Sequence, residues 1–259
     1  MKITVLGSGS GGNCTCIVTR NTCVLVDLGF GWRSLSRRLN EAGLHNQHID
    51  AVLLTHGHSD HTKGIASFRS RSAAPIFANR GTQGEVAALG GMDGKESFCS
   101  YSPFVIGDLE IEAFPVSHDA AEPVGFRFSA GGIDGALATD LGELSHQVAA
   151  KLRGCDWLIL ESNHDEQMLK IGPYPWDVKQ RVMSRLGHLS NQELSGFLTG
   201  HFDGQASHIL LAHLSRQNNL PEVALEHASQ ALSLQSPRSA EDPQLHLTYQ
   251  NKPSVVLNF

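Results

Sequence analysis

Several familiar classes are excluded by what this chain has little of. Among 259 residues there are only five cysteines, an odd number in a long chain. That argues against a disulfide framework and for a reducing, cytoplasmic setting. No run of 18 apolar residues exists, so no segment reads as a membrane span. The stretch from Met1 to Gly7 is broken by glycine too soon to be expected as a secretory signal. Basic residues are outnumbered, 20 Lys and Arg against 26 Asp and Glu, and a net charge of −6 offers no global pull on nucleic acid. There is no fixed-period repeat, no charge block and no linker long enough to split the chain, so a single domain is expected over 1–259. What remains is an ordinary globular composition, 41% hydrophobic with 26 glycines. It carries one surplus: 14 histidines exceed the 3 Trp, 3 Tyr and 4 Met together.

Periodicity and turn signals predict strands at 2–6, 14–19 and 22–27, the last two forming a hairpin. Further strands are expected at 49–55, 75–78, 97–100, 109–116, 124–129, 133–139, 156–161, 207–212, 245–249 and 254–258. Helices are expected at 32–43, 62–71, 80–90, 143–153, 163–170, 176–186, 190–200 and 220–234. A loop-like break falls at 236–243. The order suggests two sheets with helices outside, each half of the chain contributing one sheet.

Gly7-Ser8-Gly9-Ser10-Gly11-Gly12 follows the first strand, and Asp27 lies twenty residues past the first glycine. This imitates a dinucleotide-binding fingerprint, which also demands a helix opening at the glycines. The following Asn-Cys-Thr-Cys-Ile-Val-Thr is β-forming, so the unit reads as βββ. The glycines are expected instead to let backbone pass close to other backbone or to an active site.

The informative segment is Thr55-His56-Gly57-His58-Ser59-Asp60-His61, directly after a buried strand. Four metal donors fall within six residues. Imidazole and carboxylate suit Zn²⁺, and also Mn²⁺ or Fe. His56 and His58, two apart at a strand end, can share one ion. Asp60 and His61, beyond the turn, suit a second. A polar loop with solvated histidines is the bland alternative.

His-x-His-x-Asp-His after a strand resembles the signature of the metallo-β-lactamase superfamily, an α/β fold built as a four-layer αββα sandwich. Its further elements have counterparts in order: His118 in Phe-Pro-Val-Ser-His-Asp, Asp140 in Leu-Ala-Thr-Asp, His213 in Ile-Leu-Leu-Ala-His-Leu-Ser, and an early Asp27 in Val-Asp-Leu-Gly. The resemblance covers essentially the whole chain. It implies one metal on His56, His58 and His118, and a second on Asp60, His61 and His213. Asp140 would bridge both, and Asp27 would brace the histidine loop. A hydroxide between two divalent ions, Zn²⁺ by default, would be the nucleophile, with Asp60 orienting it.

The second half of the chain narrows the substrate. Leu-Ile-Leu-Glu161-Ser-Asn-His-Asp ends a buried strand. Gly187-His188-Leu189-Ser190-Asn191 precedes a helix that a Ser190–Glu193 capping box would open. These segments resemble the phosphodiesterase branch, and with Gly-Ser-Gly-Ser-Gly-Gly-Asn and His-Leu-Ser-x-x-Asn-Asn they resemble the YycJ/WalJ-like group, associated with 5′-to-3′ exonuclease activity. The resemblance implies that Glu161 orients His188. His188 would contact the substrate phosphate and protonate the leaving oxygen, with Ser190 and Asn191 beside it. Only 72 residues separate Asp140 from His213, too few for a large inserted cap domain.

Basic residues at 33, 37 and 38, at 63, 69 and 71, and at 179, 181 and 185 stand out locally against the negative total. Each group can be a solvated face or a phosphate contact. Trp32, Trp157 and Trp176 are expected in the core. The expectation is a cytoplasmic dinuclear metallohydrolase acting on phosphodiesters, with nucleic acid as the prospective partner. Thioester or lactam hydrolysis on the same metals is the rival. A non-catalytic metal-binding regulator, or an iron oxidoreductase on the same ligands, is a third class.

Overall fold

The computed structural model describes residues 1–87, 97–234 and 243–259. In chain order the elements begin β1 (Lys2–Gly7), β2 (Cys14–Val18), β3 (Cys23–Val26), α1 (Trp32–Glu41), β4 (Ala51–Leu53), α2 (Ser59–Thr62) and α3 (Ile65–Arg69). Next come β5 (Ile76–Phe77), α4 (Arg80–Ala87), β6 (Phe104–Ile106), β7 (Leu109–Pro115), β8 (Val124–Ala130), β9 (Ile133–Ala138), α5 (His146–Leu152) and β10 (Trp157–Glu161). The chain closes with α6 (Glu166–Ile171), α7 (Trp176–Val182), α8 (Asn191–Gly200), β11 (His208–Ala212), α9 (Pro221–Ser233), β12 (Gln244–Leu247) and β13 (Leu257–Asn258). They group into two compact units. One comprises Met1–Pro115, Ala120–Ile133 and Tyr249–Phe259; the other comprises Val116–Asp119 and Asp134–Thr248.

The first unit is built on a six-stranded sheet in the order β13-β1-β2-β3-β4-β5. The pairs from β13 to β3 are antiparallel, and β3-β4-β5 are parallel. The β2–β3 hairpin closes at Thr19–Thr22, where Thr19 N–H donates to Thr22 O. After the parallel crossover begins, α1 buries Leu35 and Leu39, one turn apart, in a core with Leu28, Phe30, Val52 and Phe68. β6, β7 and β8 form an antiparallel run in the same unit.

The second unit holds a parallel array, β9-β10-β11-β12. Its strands Trp-Leu-Ile-Leu-Glu and His-Ile-Leu-Leu-Ala are almost wholly buried, as continuous apolar runs in a parallel sheet should be. Parallel strands all finish at one edge, and the chain here spends that edge on Asp140, Glu161 and His213.

Three local expectations shift. The strand at 97–100 reduces to a single bridge, Ser97 to Ala78. The strand in that region is instead β6, which pairs with β7 across a Gly107-Asp108 turn. Three residues between Pro103 and Gly107 are too short a run for periodicity to reveal. The helix at 62–71 divides into α2 and α3, starting earlier, at Ser59. Of the helix at 80–90, residues 88–90 lie outside the described residues, as does the break at 236–243 apart from Pro243. Among the described residues, no helix is long and apolar enough to cross a membrane.

Candidate functional site

In the first unit the site begins with the glycine segment. No helix opens there: Gly12 leads into β2, with φ +137° and a position where a Cβ would lie 2.2 Å from Gly29 O. That close approach is the use anticipated for these glycines. It delivers Asn13, whose Oδ1 accepts from Gly9 N–H at 2.7 Å. Its Nδ2 faces Asp60 Oδ2 at 3.1 Å and His61 Nε2 at 2.9 Å. Asn13 carried no assignment in the sequence reading. The only signal was its place after the last glycine.

The end of β4 carries the histidine loop. Asp27, fully buried at the end of β3, accepts from Thr55 N–H and Thr55 Oγ1–H with the same carboxylate. Its Oδ2 also receives His61 Nδ1 at 2.8 Å. A carboxylate can only accept, so His61 holds its proton on Nδ1 and its lone pair on Nε2. His56 Nδ1 meets Thr55 Oγ1 at 3.0 Å. The rings of His56 and His58 lie 4.7 Å apart, and those of His56 and His61 4.1 Å. Asp60 Oδ2 is 3.5 Å from His61 Nε2. The four donors of the loop are therefore clustered, and His56 and His61 are buried.

The second unit repeats the device. His118 is buried, and its Nδ1 donates to Gly187 O at 3.0 Å. Burial pushes its pKa below the usual value, against the pull of Asp140 and Glu161, which favours the neutral ring that a ligand needs. His213 Nδ1 donates to Glu161 Oε1 at 2.8 Å and lies 3.4 Å from Asp140 Oδ1. Asn163 Nδ2, also without an assignment from sequence, donates to His213 O at 2.7 Å. Asp140, Glu161, His188 and His213 each present a ligand atom within 4.8 Å of the others.

Glu161 is the hub of this half. It is fully buried at the end of β10, and its Oε1 accepts from His188 Nδ1 at 2.9 Å as well as from His213. Its Oε2 accepts from the N–H groups of Leu141 and Leu189. Burial works to raise its carboxyl pKa, but the charge and hydrogen bonds of His188 and His213 hold it well below the ordinary value. Burial opposes a charged His188, and Glu161 outweighs it, so the His188 pKa lies above the usual one. His188 is the half-buried member of the group, and its ring centroid is 5.2 Å from that of His118.

Ser190 and Asn191 are committed elsewhere. Ser190 Oγ accepts from Glu193 N–H and donates to Glu193 Oε2, completing the expected capping box. Asn191 is buried against Ser162 and Asn219. Both side chains are buried and hydrogen-bonded within the protein.

Backbone conformation marks the same residues. Among those described, the non-glycine residues with left-handed φ are Asp27 (66°), Tyr101 (78°), Asp140 (57°) and His213 (56°). For L-residues this costs roughly 1–2 kcal/mol each and persists where the surroundings impose it. Three of the four are candidate site residues placed within two positions of a strand end.

The donor chemistry suits a metal ion. Borderline imidazole and carboxylate groups are assembled with Nδ1 atoms held by carboxylate, carbonyl or hydroxyl. This is the supporting shell that orients metal-ligating histidines.

Residues 22–214 match the family described as Beta-lactamase superfamily domain. The chain belongs to the β-lactamase superfamily. It is 34% identical over 259 residues to the Exodeoxyribonuclease YycJ of Bacillus anthracis, covering 99% of this chain and 98% of that protein. It is 35% identical over 228 residues to the Exodeoxyribonuclease WalJ of Streptococcus pneumoniae serotype 2, covering 86% and 85%. Among solved structures, Zn²⁺-bound PqqB from Methylobacterium extorquens superposes with a TM-score of 0.74 over the full length of both chains, at 16% identity. The metallo-β-lactamase fold, an α/β sandwich, is thus the fold of this chain, as the sequence led us to expect.

Proposed function

We propose that this chain is a metal-dependent phosphodiesterase of the nuclease type. The observation that carries the proposal is the buried Glu161 carboxylate, which holds both the candidate ligand His213 and the half-buried His188. A histidine whose protonated form is favoured, beside a ligand cluster, suits an anionic ester and an alkoxide leaving group. A thioester or lactam does not call for it. The names of the YycJ and WalJ relatives, both exodeoxyribonucleases, support a nucleic-acid strand as the substrate.

His56, His58 and His118 would hold one divalent ion, and Asp60, His61 and His213 a second, with Asp140 available to either. Zn²⁺ is the ion favoured by this donor set, ahead of Mn²⁺ and Fe. When bound, such ions supply Lewis acidity toward the phosphoryl group and lower the pKa of water. Asp27 and Glu161 set the tautomers of His61 and His213 through Nδ1. Asp60 orients the attacking water. His188 binds the phosphate and gives a proton to the leaving oxygen from Nε2, its Nδ1–H remaining on Glu161. The unbridged cysteines support a reducing compartment, the cytoplasm.

The test is metal analysis of wild-type protein and His58→Ala, joined to a substrate panel. The panel contains bis-p-nitrophenyl phosphate, 5′-phosphorylated single- and double-stranded DNA and RNA, a thioester and a cephalosporin. The wild type is expected to carry zinc and to cleave the phosphodiesters. His58→Ala is expected to stay folded and lose both metal and activity. Turnover of the thioester or cephalosporin alone would overturn the phosphodiesterase assignment, and phosphodiesterase activity retained by His58→Ala would overturn the ligand assignment.

A further inference from the structure

A cavity of about 790 Å³ opens in the first unit beside α1 and α3. Its volume falls in the roughly 300–1,000 Å³ range of small-molecule sites. Arg33 and Arg37 reach it from α1, and Arg71 from just beyond α3. Ser67 and Ser70 add hydroxyls, and Trp32 forms part of the wall. Among the described residues that line it there is no Asp or Glu. Three guanidinium groups line one cavity in a chain of net charge −6; Arg37 is paired with Glu41, and the charges of Arg33 and Arg71 favour an anion there.

Several of the other basic side chains singled out from the sequence have partners within the chain. Arg38 donates to Leu6 O at 2.6 Å and to Gln250 O at 2.9 Å, and its guanidinium lies over the Phe30 ring. Lys63 donates to Gly11 O, and Lys179, buried, to Lys170 O. Arg181 pairs with Asp119 and Arg185 with Glu143. Arg37 shares its charge with Glu41. Among the described residues, Arg33 and Arg71 have no ion pair, and both line this cavity.

The walls are held in place. Ser67 Oγ accepts from Trp32 N–H at 2.9 Å and donates to Gly64 O at 2.9 Å, tying the start of α1 to α3. Trp32 was expected in the core. It is half-buried instead, and its ring packs on Phe68 at a centroid distance of 6.0 Å. That leaves a fixed aromatic surface beside the arginines, the combination of stacking face and positive groove that holds single strands. α3 begins four residues after His61, so the cavity wall continues directly from the histidine loop.

We infer that this cavity binds the sugar-phosphate backbone of a single nucleic-acid strand. Arg33 and Arg71 neutralise phosphates, and Trp32 offers a face to a base. The inference rests on the nuclease function proposed above and adds a substrate-holding site separate from the candidate metal ligands.

The experiment compares wild type with the Arg33→Ala/Arg71→Ala double variant. Fluorescence anisotropy of a 5′-phosphorylated, 3′-fluorescein-labelled 20-nucleotide single-stranded DNA is followed in EDTA across a salt series. Cleavage of the same strand and of bis-p-nitrophenyl phosphate is then measured with metal restored. Each lost phosphate contact removes about 0.7 from the slope of log affinity against log salt, so the double variant is expected to lose about 1.4. Its affinity is expected to fall about tenfold or more, with bis-p-nitrophenyl phosphate turnover unchanged. Equal affinity and equal salt slope in the two proteins overturn this inference, whatever the wild type cleaves. Strand binding without any phosphodiester cleavage by the metal-loaded wild type overturns the nuclease function instead. Loss of bis-p-nitrophenyl phosphate turnover in the double variant would show the arginines acting on the metal site, which also overturns the inference.

Discussion

Replacing Glu161 by Gln keeps the shape of a fully buried side chain and removes its ability to accept on both sides. The carboxylate receives four N–H groups: His188 and His213 on Oε1, Leu141 and Leu189 on Oε2. A carboxamide has one oxygen, so one of these pairs must face an NH₂. Losing two hydrogen bonds to a charged acceptor costs about 3–6 kcal/mol, at about 1.5–3 each. If the amide nitrogen faces the imidazoles, each ring can move its proton to Nε2 and accept on Nδ1, which returns about 1 kcal/mol per bond. The net loss is about 1–4 kcal/mol, less than the whole stability of a typical domain at about 5–15 kcal/mol. Glu161→Gln should therefore fold, with His213 in the tautomer that has no lone pair on Nε2. Metal affinity is expected to fall about 10–100-fold, as for other losses of a ligand's supporting partner.

Urea unfolding in EDTA, chelator-competition titration of zinc, and nitrogen-15 spectra of the histidine rings read the three effects. The pH dependence of the metal-free protein gives a further check. Glu161 is depressed, so its contribution is present above the unfolded value of about 4.3 and is lost as pH falls through the lower folded value. His188 is raised, so its contribution is complete below about 6.5 and is lost as pH rises through the higher folded value. Wild-type stability should be greatest between these limits, and Glu161→Gln should flatten the profile. Wild-type zinc affinity together with an unchanged His188 titration in Glu161→Gln would refute the reasoning.

Two other substitutions separate roles within the site. His188→Ala should lower phosphodiester turnover by about 10²–10⁴-fold while metal content stays at the wild-type level. Metal lost from that variant, measured by elemental analysis, would make His188 a ligand rather than a phosphate contact. Gly29→Ala places a Cβ 2.0 Å from Asp60 O and 2.2 Å from Asn13 N, both backbone atoms that cannot swing aside. It should cost about 1–3 kcal/mol in urea unfolding and weaken zinc binding by displacing Asp60 and Asn13. Wild-type stability and zinc affinity in Gly29→Ala would show that the loop is not held as tightly as its packing indicates.

The histidine loop was legible because its donors are neighbours in sequence and follow a buried strand. The βββ start was legible because no helix could form after Gly12, where Asn13 leads straight into β2. The Ser190 cap was legible from a four-residue pattern, and the structure shows its hydroxyl both donating to Glu193 Oε2 and accepting from Glu193 N–H. Asn13, Thr55 and Asn163 stand inside the quoted motifs without a role of their own, because an amide or a hydroxyl has no spacing rule and acquires a role only from what folds against it.

Local pattern and composition were enough to give the superfamily, the strand-end placement of the donors and the lack of a long apolar run. Which nitrogen of each ring is tied down depends on residues that folding brings opposite it. His61 is anchored by a residue 34 positions away, His213 by one 52 away, and His118 by a carbonyl 69 away. Folding also decided which arginines are committed, since Arg38 and Arg181 look no different from Arg33 and Arg71 until their partners are in place. A tautomer and a spare charge are both properties of what lies opposite a side chain, and distance along the chain does not encode that.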